Sequence, residues 1–381
     1  MPSPSPGPAR RALLRAAGAA CLAAIAGCGA PSLASRSASQ RLRLLGTATL
    51  PHRMAFAGTT VGGLSALDFH PASGLWVALS DDRSALQPAR FYTLRLDPAA
   101  PGLALQLQDV VTLRDASGDP YPSGRAGGEV VDPEGLRLLP DGRHLLWTSE
   151  GDARRRLPPA LHLSRLDGRH VRSFDVPPTL HFSAATGTGP RNNETFEGLA
   201  LAPDGRTAWV AMEGPLQQDG PRPTVEGPGG PCRFTAFDVA SGRAIGQRAY
   251  QPDALPLAPL LPGGPADNGV SEILMLDTHR LLVLERAYAM GTGTSLRLYE
   301  VDTRAGSDTL GQEALVPGAF TPLPKRPVAD FARLGLERLD NTEGMAWGPP
   351  LANGARSLVV VSDDNFNPLQ ATQFAAFEYQ E

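Results

Sequence analysis

The chain has 381 residues, a formal net charge of −4, 41 glycines and 37 prolines. This weakly acidic composition argues against a nucleic-acid-binding protein. Long helical patterns are few and no apolar stretch is long enough to cross a bilayer, which excludes a bundle of transmembrane helices.

The N-terminus resembles an export signal. Three arginines between residues 10 and 15 lead into an apolar run, residues 16–26, that is too short to span a membrane. The run ends in Ile25-Ala26-Gly27-Cys28, which resembles a bacterial lipobox, and the paired arginines resemble a twin-arginine signal. We expect a signal peptide at residues 1–27 and lipidation of Cys28. An ordinary signal peptide with Cys28 incidental is the alternative.

Export would change the composition of the mature protein. Loss of residues 1–27 removes three arginines and no acid, so the net charge becomes −4 − 3 = −7. With Cys28 lipidated, Cys232 is left alone and no internal disulfide can form. Residues 28–40 predict a lipidated cysteine with a flexible tether, and residues 41–381 a single domain. We expect a monomer in the cell envelope, facing the periplasm or at the outer membrane, that contacts the membrane only through its lipid.

Five copies of one unit follow a lone predicted strand at residues 41–50. Each copy has an opening polar residue, an apolar run, a turn, a second apolar run and a closing acid, most clearly in residues 193–213 around the Asp204-Gly205 turn. The five pairs of opening and closing residues are Ser65 and Asp81, Glu134 and Glu150, Glu197 and Glu213, Glu272 and Glu285, and Glu343 and Asp363.

The repeat predicts an all-β fold, a β-propeller with five readable four-stranded blades. The last repeat lacks an outer strand, which the strand at residues 41–50 can supply, so that the N-terminal strand closes the last blade. Residues 302–340 leave room for a sixth blade. Two packed β-sandwich domains are the alternative architecture.

The two strands of each hairpin are antiparallel, so the opening and closing residues of all copies should meet at one end of the central channel. Two carboxylates about 4 Å apart repel by about 4 kcal/mol at an effective dielectric constant of about 20, so the ring needs a cation, shared protons or arginine partners. Oxygen ligands without a His or Cys cluster suit Ca²⁺. A solvated strand-end acid or a backbone cap is the structural alternative for any single member. The predicted ligands are Asp81, Asp82, Glu134, Glu150, Glu197, Glu213, Glu272, Glu285, Glu343, Asp363 and Asp364, with Arg83 and Arg286 following two of them.

Several segments, in order from about residue 58 to the C-terminus, resemble signatures of the bacterial phytase-like family, often labelled "esterase-like activity of phytase". They are Gly62-Gly63-Leu64-Ser65, Ala78-Leu79-Ser80-Asp81-Asp82-Arg83, Asp132-Pro133-Glu134-Gly135-Leu136, Phe196-Glu197-Gly198-Leu199-Ala200, Leu284-Glu285-Arg286, Asn341-Thr342-Glu343-Gly344-Met345 and Val361-Ser362-Asp363-Asp364-Asn365-Phe366.

The resemblance implies hydrolysis of phosphoric or carboxylic esters, by similarity to Ca²⁺-dependent propeller phytases. The chain lacks the Asp-Asp-Pro-Ala-x-Trp segment of those phytases, which argues against inositol hexakisphosphate as substrate. It also lacks a Gly-x-Ser-x-Gly nucleophile elbow.

These observations predict an exported, metal-dependent hydrolase of a small anionic ester, with a phosphoric ester preferred over a carboxylic one. The expected catalytic residues are Glu134, Glu197, Glu213, Arg83 and Arg286. The alternative is a non-catalytic, Ca²⁺-stabilised envelope propeller that binds a ligand or a protein partner.

Overall fold

The computed structural model describes residues 40–100 and 102–381. The predicted signal peptide, Cys28 and nearly all of the predicted tether lie outside these residues. The described residues form 22 β-strands and three short 3₁₀ turns, with no α-helix among them. In this part of the chain, no helix has the length and apolar character needed to cross a bilayer.

The strands form five four-stranded antiparallel sheets and one small hairpin. Strand β1 (Leu42–Thr49) belongs to the last blade, and β2 (Ala55–Phe56) pairs with β3 (Thr59–Thr60) in the hairpin. Blade 1 consists of β4 (Leu64–His70), β5 (Leu75–Ser80), β6 (Arg90–Asp97) and β7 (Ala104–Thr112). Blade 2 consists of β8 (Pro133–Leu138), β9 (His144–Ser149), β10 (Ala160–Arg165) and β11 (His170–Ser173).

The remaining blades follow in chain order. Blade 3 consists of β12 (Phe196–Leu201), β13 (Thr207–Met212), β14 (Cys232–Asp238) and β15 (Arg243–Tyr250). Blade 4 consists of β16 (Ala266–Met275), β17 (Arg280–Ala289), β18 (Gly293–Asp302) and β19 (Lys325–Asp330). Blade 5 consists of β20 (Thr342–Trp347), β21 (Arg356–Ser362), β22 (Gln373–Tyr379) and β1.

The innermost strands β4, β8, β12, β16 and β20 lie side by side around a central axis, so the fold is a five-bladed β-propeller. Apolar side chains fill the spaces between blades, with Trp76 and Trp147 fully buried. The second strand of blade 5 is buried along nearly its whole length, as expected for a sheet covered on both faces. The propeller prediction is confirmed.

Strand β1 closes the propeller, as predicted. It pairs antiparallel with β22, from Leu42 opposite Tyr379 to Thr49 opposite Gln373. This pairing covers what would otherwise be an exposed edge of the last sheet. The segment considered for a sixth blade instead contains β19, the outer strand of blade 4, and a 3₁₀ turn at Phe331–Arg333.

A β-bulge occurs at the same place in every blade, between the innermost strand and its neighbour. The bulge places one side chain per blade at the end of the channel where the innermost strands begin. These side chains are Ser65, Glu134, Glu197, Ser271 and Glu343. Four of the five predicted opening residues are therefore confirmed as equivalent positions.

Blade 4 departs from the predicted alignment by one residue. Its bulge residue is Ser271, and Glu272 occupies the next position, where blades 2, 3 and 5 have glycine. Val270 pairs with Glu285 as Leu64 pairs with Ser80 in blade 1, so the position equivalent to Asp81 is held by Arg286. A one-residue shift turns a strand side chain to the opposite face of the sheet, which removes both predicted acids of this blade from the ring.

Glycine follows the bulge glutamate in three blades because the neighbouring innermost strand lies too close for a side chain. A Cβ at Gly135 would lie 2.6 Å from the carbonyl oxygen of Glu197, and one at Gly198 would lie 2.8 Å from the amide nitrogen of Ile273. The Glu-Gly pairs of the sequence therefore mark positions where the innermost strands of neighbouring blades leave no space for a side chain.

Candidate functional site

A pocket of about 780 Å³ opens at the end of the propeller where the innermost strands begin. We call it the mouth pocket. Arg83 and Arg286 both line it. Six of the predicted acids also line it, namely Asp81, Glu134, Glu197, Glu213, Glu343 and Asp363.

Glu150 lies beside these acids and joins two groups of buried carboxylates. One group consists of Asp132, Glu134 and Glu150, and the other of Glu150, Glu197 and Glu213. Within each group, one oxygen from every residue lies within 4.8 Å of the others. Because Glu150 belongs to both groups, the two groups are adjacent.

Two of these carboxylates have no compensating partner. The side chains of Glu134 and Glu197 line the mouth pocket, yet the residues are only 8% and 6% exposed. Within the described residues, neither carboxylate accepts a hydrogen bond or forms an ion pair. Oδ1 of Asp81, on the wall of the same pocket, is also buried without a hydrogen-bond partner in that part of the chain. Buried carboxylates without partners must take up protons or a cation.

Burial raises the pKa values of the clustered carboxyls because it penalises the charged form. The pKa values of Asp132, Glu213 and Asp363 rise to about 7. Burial, and then the charge of Glu197, raises the pKa of Glu134 well above its ordinary value. Burial, and then the charge of Glu150, has the same effect on the pKa of Glu197. Without a cation, the cluster would be partly protonated at neutral pH.

Arg286 supplies positive charge to the ring from blade 4. Its guanidinium lies 2.7 Å from Glu213, 3.6 Å from Asp267 and 3.8 Å from Glu343. Burial lowers the pKa of Arg286, but these carboxylates raise it by more, so the guanidinium stays charged. Arg286, which occupies in blade 4 the position that an acid occupies in the other blades, is therefore a fixed counterion for the ring acids Glu213 and Glu343.

Arg83 lies on the other side of the mouth pocket. It contacts Asp132 at 3.2 Å and Asp152 at 2.9 Å, and a third of its side chain is exposed. Its guanidinium therefore retains donors that face solvent and the pocket.

Two predicted ligands, Asp82 and Asp364, stabilise loops instead. Asp82 accepts hydrogen bonds from the amides of Ala85, Leu86 and Gln87 and pairs with the buried Arg90 at 2.7 Å. Asp364 accepts hydrogen bonds from the amides of Gly63 and Phe366. Each directly follows a ring acid, and neighbouring residues of extended chain point in opposite directions. This corrects the prediction for both.

Glu285 also lies outside the ring. Its carboxylate accepts hydrogen bonds from the hydroxyl of Tyr250 at 2.6 Å, the side-chain amide of Asn268 at 3.1 Å and the ammonium of Lys325 at 2.6 Å. These contacts satisfy a fully buried charge between blades 3 and 4. The predicted metal-binding role of Glu285 is corrected to a structural one.

Glu272 lies inside the channel, where it pairs with Arg137 at 2.9 Å. The Arg137 guanidinium also donates to carbonyl oxygens of Leu67, Leu136, Ile273 and Met345, which belong to blades 1, 2, 4 and 5. Glu272 completes the set by accepting a hydrogen bond from the amide of Leu199 in blade 3. The pair connects all five innermost strands, which corrects the prediction of Glu272 as a ligand at the mouth.

Asp132 is a site residue that the sequence reasoning missed, although a signal was present. It precedes Glu134 by two positions, and alternate residues of a strand share a face. Asn341 has the same relation to Glu343, and its side-chain amide donates to Glu343 at 2.8 Å and to Asp363 at 3.2 Å. Reading each opening glutamate together with the residue two positions earlier would have found both.

Comparison with known proteins identifies the family of the chain. The family model "Phytase-like: Esterase-like activity of phytase" matches residues 59–366. The chain belongs to this phytase-like family. The match includes the bulge residues of all five blades and their closing positions.

An uncharacterized secreted protein of Arthroderma benhamiae is 27% identical over 32% of this chain and 33% of that protein. The chain thus aligns with only about a third of the length of this curated relative.

Two solved structures are similar at low TM-score. One is a periplasmic gluconolactonase of Pseudomonas aeruginosa, with 17% identity, coverage of 87% of this chain and 88% of that chain, and a TM-score of 0.35. The other is a GH43_1 enzyme of Xanthomonas citri complexed with xylose, with 11% identity, coverage of 87% and 89%, and a TM-score of 0.43. At these scores neither similarity supports a conclusion about this protein.

Proposed function

We propose that this phytase-like protein is a metal-dependent ester hydrolase that acts at the mouth pocket, on a phosphoric ester in preference to a carboxylic one. The observation that supports the proposal best is the pair of unpartnered, buried carboxylates of Glu134 and Glu197 in a pocket large enough for a small ester. The family name adds ester hydrolysis as the expected reaction class.

The residues present fit a hard divalent cation such as Ca²⁺. All candidate ligands in the two carboxylate groups offer oxygen, and within the described residues neither group includes a His or Cys. Asp132, Glu134 and Glu150 would hold one ion, and Glu150, Glu197 and Glu213 would hold a second. A bound ion would polarise the ester and lower the pKa of a water molecule.

The chain's own residues have separate tasks in this proposal. Burial raises the pKa of Glu213 to about 7 without a cation, so a bound ion would displace its proton and leave a carboxylate that can orient a water molecule. Arg286 holds Glu213 in place through its 2.7 Å contact. Arg83 faces the pocket with exposed donors and can contact an anionic group of the substrate. The mouth pocket, of about 780 Å³, can hold a small anionic ester, and one chain supplies all of these residues, so we propose that the protein acts as a monomer.

Turnover of simple esters tests this proposal. We expect hydrolysis of a generic phosphomonoester in Ca²⁺ to exceed that of a short-chain carboxylic ester, and to be lost with chelator. Glu197→Gln and Glu213→Gln should each lower the rate by about 100-fold or more, since each removes a carboxylate from the proposed ion site. Glu226→Gln, on an exposed loop, is the matched control. Wild-type rates in both pocket variants would reject the assignment of the site.

A non-catalytic propeller is the second candidate, and the burial of Glu150 favours it. Glu150 is only 2% exposed, and its carboxylate and carbonyl oxygens both bind Thr195 of the next blade. A cation held there would link blades 2 and 3. If chelator lowers the melting temperature while no ester is hydrolysed under any condition, the protein is a Ca²⁺-stabilised binding module.

We also propose export to the cell envelope, with a signal peptide at residues 1–27 and lipid on Cys28. The secreted relative supports export, and the lipobox-like sequence supports the anchor. Mass spectrometry of the mature protein should show Cys28 as an acylated N-terminal residue. An unmodified terminus at another residue would reject lipidation.

A further inference from the structure

We propose that a second pocket beside the mouth pocket binds an anionic group, and that this group belongs to the same substrate whose ester lies in the mouth. The proposal rests on the function proposed above for the mouth pocket. We call the second pocket the arginine pocket. It has a volume of about 780 Å³ and is formed by loops of blades 2 and 3 that contain Arg156, Arg191 and Arg222.

The arginine pocket has the opposite electrostatic character to the mouth. Three arginines line it and, among the described residues, no acid does. Among the described residues, one carboxylate forms an ion pair with these arginines: Glu194 pairs with Arg222. Three guanidinium groups with one paired carboxylate leave an excess of positive charge, which favours phosphate or carboxylate.

Two of the lining residues are held in position by the backbone. The Arg191 guanidinium donates to the carbonyl oxygens of Pro215 at 2.5 Å and Gly220 at 2.9 Å. Oδ1 of Asn192 accepts a hydrogen bond from the amide of Ala153 at 2.9 Å, which joins the loop of blade 3 to that of blade 2. Arg191 and Asn192 are therefore positioned before any ligand arrives, which reduces the entropy lost on binding.

Arg156 is the free cation of this pocket. Within the described residues its guanidinium forms no ion pair and no hydrogen bond. Its backbone has φ of 59°, in the left-handed region that non-glycine residues rarely adopt. Paired hydrogen bonds between Asp152 and Leu157 hold the turn in this conformation. The turn keeps an uncompensated arginine on the wall of a concave site despite the strain of its backbone.

The two pockets adjoin at Arg222, which lines both. A ligand can therefore place one group in the acidic mouth, where it would be bound with the cation, and a second anionic group among the arginines. Binding of both groups in one molecule is favoured over binding of two separate anions because the second contact is intramolecular. The substrate class is thus an ester that bears a second phosphate or carboxylate.

Inorganic phosphate is the first probe, titrated by calorimetry with chelator present. Under these conditions the acidic mouth disfavours phosphate but still contains Arg83, so weaker binding in Arg156→Gln, and not binding by itself, reports the arginine pocket. We expect wild-type protein to bind phosphate and Arg156→Gln to bind it about tenfold more weakly, as expected for loss of one charge-assisted hydrogen bond. Arg154→Gln is the matched control, because Arg154 lies on the same exposed turn but outside the pocket lining.

Both variants should keep the wild-type melting temperature, since both side chains are exposed. Absence of phosphate binding by the wild type, or equal binding by wild type and Arg156→Gln, would overturn the proposal.

A series of linear alkyl bisphosphates of increasing chain length, with Ca²⁺ present, tests the link to the mouth. We expect one length to bind at least about tenfold more tightly than the matching monophosphate, and Arg156→Gln to abolish that advantage. No advantage at any length would overturn the shared-substrate proposal. Phosphate binding in chelator without Ca²⁺ binding or turnover would instead reject the proposed function of the mouth and retain an anion-binding pocket.

Discussion

Replacement of Arg137 by Met should lower the free energy of unfolding by about 3–5 kcal/mol, the typical loss when one partner of a buried ion pair is removed. Arg137 and Glu272 are 3% and 1% exposed at their side chains and lie 2.9 Å apart inside the channel. The substitution leaves Glu272 without its cation and four backbone carbonyls from four blades without their shared donor. Chemical denaturation followed by circular dichroism measures the change.

A double-mutant cycle separates the charge from the lost backbone contacts. Arg137→Met with Glu272→Gln should be more stable than Arg137→Met alone, because no unpaired buried charge remains. Arg154→Met, at an exposed arginine, should change stability by less than about 0.5 kcal/mol. Equal effects at Arg137 and Arg154 would show that the pair does not join the blades.

The central pair also defines the shape of the site. Arg137 and Glu272 fill the channel between the innermost strands, so the mouth pocket is open at one end of the propeller.

The repeat in the sequence was sufficient to predict the fold and most of the acidic ring. The spacing of Glu134 from Glu150 and of Glu197 from Glu213 is 16 residues in both hairpins. Antiparallel pairing then places both members of each pair at the same end. This argument needs only local geometry, which explains why it correctly placed seven of the eleven acids.

The same argument failed in blade 4 because acids were aligned with acids. Gly269-Val270-Ser271 matches Gly63-Leu64-Ser65, and aligning these segments would have placed Ser271 at the bulge and Arg286 at the closing position. The pattern of small and apolar residues predicts the register of the two innermost strands of a blade better than the positions of acids do, because packing between blades sets that register.

Other features required the three-dimensional structure. The pairing of Arg137 with Glu272 joins residues 135 positions apart, and no local pattern predicts it. The arginine pocket likewise combines three loops that are distant in sequence. Loop positions depend on contacts such as that of Asn192 with Ala153, which hydrophobic periodicity does not encode.

Arg286 clarifies the electrostatics of the ring. Four blades place an acid at the closing position, and the fifth places a guanidinium that neutralises Glu213 and contacts Glu343. Glu134 in blade 2, and Glu197, which shares blade 3 with Glu213, form no ion pair or side-chain hydrogen bond in the described residues. The uncompensated charge is therefore concentrated in blades 2 and 3, next to the arginine pocket.

In Ca²⁺-free buffer, the stability of the protein should fall as the pH rises from about 5 to about 8, and saturating Ca²⁺ should remove most of this loss. The folded-state pKa of Glu213 is raised from 4.5 to about 7, and that of Asp363 from 3.8 to about 7. At a pH between the unfolded-state and folded-state pKa values, the folded protein binds more protons than the unfolded protein. Its free energy of unfolding therefore falls as the pH increases. One pKa unit corresponds to about 1.4 kcal/mol, so a single such group contributes on the order of 3 kcal/mol.

Thermal unfolding of the wild type and of the double variant Glu134→Gln with Glu197→Gln, at both pH values, measures the effect. His162 acts in the opposite direction, because burial lowers its pKa to about 3 and stability is lost as the pH falls below its unfolded value of 6.5. This contribution is common to both proteins and cancels in their difference. The double variant should be the more stable of the two at about pH 8 without Ca²⁺ and should gain less from added Ca²⁺. A wild type that becomes more stable than the variant as the pH rises in Ca²⁺-free buffer would show that these carboxylates are compensated within the protein and need no cation.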